Sequence, residues 1–130
     1  MEEKQPLGGP KTDQDAHHHA MRAPIAVVAG ELTELLGATT VAVIGGVNET
    51  RAVQQWAAGR EPQRAHVLRF ALQLATMIAT VADRDVARAW FHGTNPRLQD
   101  RTPMLLLRHE PLDQIQGPLM EAARVFAAHA

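Results

Sequence analysis

The sequence predicts an all-α protein, a small helix-turn-helix unit followed by a helical domain around a long central helix. Three observations lead there. Ala and Leu supply much of the 45% hydrophobic fraction and Tyr is absent, a balance that favours helices over sheets. Apolar residues recur at helical spacing through most of the chain, and Gly and Pro interrupt them where helices end. At 130 residues the chain holds one core, or two small helical units that share one.

Composition also excludes several functions. With no cysteine there is no disulfide framework, thiolate zinc site or cysteine nucleophile. The formal net charge of -1 does not favour nucleic acid over the molecule as a whole, so any such binding must come from a local surface. No stretch approaches the roughly 20 apolar residues of a membrane helix, and MEEKQPLGG at the N-terminus is not signal-like. The expectation is a cytoplasmic protein with no membrane partner.

Taken in order, residues 1–22 combine Gly8-Gly9-Pro10, scattered charges and no apolar period, and read as a disordered leader. The His17-His18-His19 tract reads as solvated, because three consecutive residues do not face one metal site. Residues 23–64 form the first unit. Pro24 suits a first helical turn, IAVVAGELTELL follows at helical spacing, and Gly37 ends it. Thr39 or Thr40 is the expected cap of VAVIGG, and Asn48 that of ETRAVQQWAAG, whose inward face is Val53, Trp56 and Ala57. Small Ala42 is expected to let the two short helices approach, with Gly46 making the turn.

Residues 65–130 form the second unit. Its long helix is expected from Pro62 to about residue 82, with Val67, Ala71, Leu74, Ile78 and Val81 on one apolar row and Leu68, Leu72, Ala75 and Ala79 on another. Arg69, Gln73, Thr76 and Thr80 make one narrow polar stripe. Such a helix is a central rod, with part of it available as a dimer seam. Asp83 caps RDVARAWFHG, which Gly93 ends. Asn95 is held extended by Pro96, Leu98 returns to the core, and Thr102-Pro103 restarts a helix with Leu105, Leu106 and Leu107 inward. Arg101 is either a surface residue or a donor to loop carbonyls. Gly117-Pro118 is expected to start or kink a last helix with Leu119, Ala122, Ala123 and Phe126 inward.

Two sets of residues carry a resemblance. VAVIGGVNETRAVQQWAAGREP resembles the Xre repressor pattern, with Val53, Trp56 and Gly59 each one position later than that pattern places them. The order Trp90, Asn95-Pro96, Leu98, Arg101-Thr102-Pro103, Leu106-Leu107 resembles the toxin-binding domain of Xre/MbcA/ParS-type antitoxins, with Gln99 where a glycine is often seen. Together they cover about residues 31–128. The resemblance implies an antitoxin whose partner is a RES-domain toxin, an NAD-degrading enzyme, with the C-terminal end occluding the toxin's cleft. Operator DNA is a further partner in some members, and a homodimer or hetero-oligomer with toxin is expected.

On that reading Arg124, Phe126, His129, Ala130 and Arg101 are the toxin-binding candidates. In the third helix Thr50, Arg51, Gln54 and Gln55 are of types that pair with base edges, and Arg60 and Arg64 could reach phosphates. Between residues 31 and 64, however, three arginines stand against four glutamates. The alternative is a stand-alone Xre-like transcriptional regulator whose C-terminal half only dimerises. No HExxH, phosphate-cradling glycine loop or Gly-x-Ser-x-Gly appears, so no catalytic residue, metal or cofactor is expected.

Overall fold

The computed structural model describes residues 13–130, and among them the chain is all-helical: α1 (Asp13–Arg22), α2 (Ile25–Leu36), α3 (Ala38–Gly45), α4 (Thr50–Ala57), α5 (Ala65–Val81), α6 (Arg84–His92), α7 (Pro103–His109) and α8 (Leu112–Ala128), with a 3-10 turn at Pro96–Leu98. No described helix is long and apolar enough to cross a membrane. One apolar cluster draws residues from every helix, from Ala16 in α1 to Ala123 in α8, so the two units read from the sequence share a core.

α5 is the rod of that core. Both apolar rows are buried through Ile78, and α1, α2, α3, α6 and α8 all pack on it. Val81, at its end, is 48% exposed instead of inward, because the row runs past the last neighbour that covers it. The helix starts at Ala65, not at Pro62. Gln73, placed on the polar stripe, is 5% exposed.

That burial has a cause in the part of the leader read as disordered. Residues 1–12 lie outside the described residues, but residues 13–22 form α1, which lies along α5. Its apolar contribution is small, only Ala16 and Ala20 being buried. Polar bonds to the α5 stripe hold it instead. Arg69 Nη1 donates to the carbonyls of Ala20, Met21 and Ala23 at 3.0, 3.2 and 2.7 Å. His17 Nδ1 is 3.2 Å from Gln73 Oε1 and His19 Nε2 is 2.7 Å from Glu31 Oε1. Asp13 and Asp15 in its first turn and His19 and Arg22 in its last suit the helix dipole. The histidine tract is thus partly tethered, with His17 and His19 aimed at different helices.

Several helix starts also differ from expectation. α3 is capped by Gly37 at φ 88°, and Thr40 is buried with its Oγ1 2.7 Å from His92 Nε2. α4 is capped by Glu49, because Asn48 Oδ1 accepts instead from Arg108 Nη2 at 3.1 Å. The close approach in this region is made by Gly45, where an added Cβ would meet Trp56 Cη2 at 2.5 Å. α6 follows the sequence reading, with Asp83 Oδ1 accepting from Val86 N at 2.9 Å and Gly93 ending the helix. Gly117-Pro118 neither starts nor interrupts α8, which runs on from Leu112 with Pro118 inside it.

Candidate partner-binding site

The segment 90–107 forms a joint between α6, α7 and α8. Trp90 is 7% and Leu98 2% exposed. Asn95 is extended (φ -131°, ψ 119°), as the following proline requires, and its Oδ1 accepts from Arg97 N at 2.9 Å. The loop closes on itself, with Leu98 N and Asp100 N donating to Asn95 O at 2.8 and 2.9 Å. Gln99 and Asp100 both lie at positive φ, 59° and 62°. Gln99, which stands where glycine is often seen, therefore adopts a left-handed conformation itself. Thr102 is the N-cap of α7, although its side chain makes no cap bond. Of the three leucines after it, Leu106 and Leu107 are buried, and Leu105 is 44% exposed because the seven-residue α7 covers only one face.

Two recesses flank this joint. One is a cleft of about 410 Å³ lined chiefly by Ala89, Trp90, Pro96, Ala122, Val125 and Phe126. The other, about 350 Å³, is a notch lined by Arg97, Gln99, Arg101, Gly117, Pro118 and Glu121 with Leu98 at its base. Arg97 belongs to both. Trp90 lines the cleft, while its Nε1 is a fully buried donor with no acceptor among the described residues. In the notch Arg101 Nε donates to Leu98 O at 3.1 Å, which fits the donor role read from the sequence. Arg97 pairs loosely with Glu121 at 3.6 Å.

The C-terminal candidates are grouped at the end of α8, while Arg101 sits apart in the notch. Phe126 is half-buried in the cleft wall. His129 and Ala130 are exposed, with His129 Nδ1 2.8 Å from Val125 O. Arg124 is also exposed, and its Nε donates to Asp13 Oδ2 of α1 at 2.9 Å. Sequence reasoning missed Asp13 because its helix had been set aside as leader.

Along α4, Thr50, Arg51, Gln54 and Gln55 are exposed together, and Arg60 is exposed beside them with Nη1 3.3 Å from Gln55 Oε1. Arg64 departs from the phosphate-binding expectation. Its guanidinium turns inward, Nη1 donating to Ile44 O at 3.0 Å and Nη2 to Leu107 O at 2.8 Å. Arg108, which the sequence did not single out, does the same with Nη1 to Val43 O and Val47 O at 3.1 and 3.2 Å. Two cations thus bond to carbonyls at the C-terminal ends of α3 and α7 and in the turn after α3. Arg108 is a basic residue in a last helical turn, but partners some 60 residues away leave no local signal. No family model, characterised protein or solved structure was found to match the chain.

Proposed function

We propose that the chain is an antitoxin that binds and occludes a RES-type, NAD-degrading toxin. The observation that carries the reading is the segment 90–107, whose residues resemble the toxin-binding pattern. Support comes from its geometry: Trp90, Leu98, Leu106 and Leu107 are spent on packing, and the joint leaves the last turn of α8 with His129 and Ala130 exposed. Inhibition of this kind needs no chemistry from the antitoxin, only an anchor and a complementary rim. Phe126 is the anchor on this reading, and Arg124, His129 and Ala130 are rim contacts. Co-expression with the product of the adjacent reading frame tests it. The expected result is a toxic product that co-purifies with this chain; a harmless product, or one that does not co-purify, removes the reading.

A second role, operator binding as a dimer, is favoured by the exposed polar row Thr50, Arg51, Gln54 and Gln55. Arg51 and Arg60 are the candidate DNA-binding cations, since Arg64 is engaged inside the fold. A band shift on upstream DNA should weaken steeply with salt and be lost in Arg51→Ala. Binding unchanged in that variant sinks this assignment of the reading helix.

A further inference from the structure

The cleft and the notch make one continuous surface of two chemistries, because Arg97 lines both. The cleft side offers Trp90, Pro96, Val125 and Phe126. The notch side offers two arginines against one acid, Glu121, which meets Arg97 only at 3.6 Å across exposed side chains. Solvent screens such a pair, so it resists displacement weakly. Arg101 is better prepared: its Nε is tied to the Leu98 carbonyl, which fixes the guanidinium plane for a carboxylate.

A third feature concerns the wall of the cleft. Trp90 is 93% buried by complement of its 7% exposure, it lines the cleft, and its indole N–H has no acceptor among the described residues. A buried donor without a partner is costly, and buried polar groups normally find one. That nitrogen has no accessible surface, so what the cleft presents of Trp90 is ring carbon, an apolar wall for a side chain.

We propose that this surface docks an extended segment of a partner protein, which places an apolar side chain in the cleft and a neighbouring carboxylate on Arg97 and Arg101. The positive excess in the notch selects against a basic segment. The proposal does not rest on the toxin reading, since it concerns only what chemistry this surface accepts.

The test is a selection of displayed random linear peptides on the full chain, counter-selected against the Arg97→Glu/Arg101→Glu double variant. Both positions are exposed, so the variant is expected to keep the helical circular dichroism spectrum of the parent. The enriched peptides should share an apolar residue beside Asp or Glu. One such synthetic peptide should move the Trp90 indole N–H resonance and leave that of Trp56 in place. Its affinity should fall about tenfold or more in the double variant, which replaces both attracting arginines by acids, and in Ala89→Phe, which fills the cleft from an exposed position. An enriched set without acids, equal binding to the double variant, or movement of Trp56 instead of Trp90 overturns the proposal. So does self-association of the parent chain that Ala89→Phe abolishes, which makes a second copy the occupant. Because the selection uses the chain alone, its failure is separable from failure of the toxin assay.

Discussion

A methyl group added at Gly45 would sit 2.5 Å from Trp56 Cη2 and 2.8 Å from Cζ3, closer than packed atoms tolerate, and the indole is itself 5% exposed and walled in. Gly45→Ala is therefore expected to cost about 1–3 kcal/mol, the usual range for overpacking, read as a lower urea midpoint. An unchanged midpoint contradicts the close approach. The opposite sign is expected at Gln99. It holds φ 59°, a conformation that disfavours a Cβ by roughly 1–2 kcal/mol, while glycine there adds unfolded-state entropy of about 0.4–1 kcal/mol. Gln99→Gly should thus raise stability by about 0.5–1 kcal/mol, the difference between those effects. At both positions the residue type was visible in the sequence, and the physical demand on it was not. Ala42 was read as the small residue of the approach, but spacing alone does not say which of two neighbouring small residues lies under Trp56.

Helices α2, α5, α6 and α8 were legible because each carries a sustained apolar period, and the joint after α6 because Asn-Pro and Thr-Pro restrict the backbone locally. α1 was not, since its sequence buries only Ala16 and Ala20, and what positions it is a set of bonds made by Arg69, Gln73 and Glu31 from distant parts of the chain. The polar stripe of α5 was itself the missed signal: Arg69 and Gln73 on an otherwise buried rod require partners. Arg69→Ala removes three bonds to the end of α1. Amide exchange in residues 13–22 should then speed up well before that of α5, as expected of a locally opened helix. Uniform loss of protection across the chain would show instead that α1 is inseparable from the core. Pro118 illustrates the converse limit. The sequence read Gly117-Pro118 as starting or kinking a helix, yet α8 begins at Leu112 and runs through it, with Ile115 and Leu119 on either side buried.

Across the whole molecule, the two units read from the sequence are fastened by cations as well as by the shared core. Arg64 bridges the carbonyls of Ile44 in α3 and Leu107 in α7, and Arg108 returns from α7 to Val43, Val47 and Asn48. Arg64→Ala is expected to destabilise the fold by about 1.5–3 kcal/mol, the range for a charge-assisted hydrogen bond, while leaving the salt dependence of any DNA binding unchanged. Outside these fastenings, α4 and the end of α8 both present exposed side chains, among them Arg51 and His129. The proposed antitoxin role rests on the latter. Its most direct test is the cellular NAD level when the adjacent reading frame is expressed with the full chain or with a chain lacking residues 127–130. That truncation spares half-buried Phe126, so the fold and its melting temperature should persist. The full chain is expected to preserve NAD and the truncated one to let it collapse; NAD equally preserved by both would contradict occlusion by the end of α8.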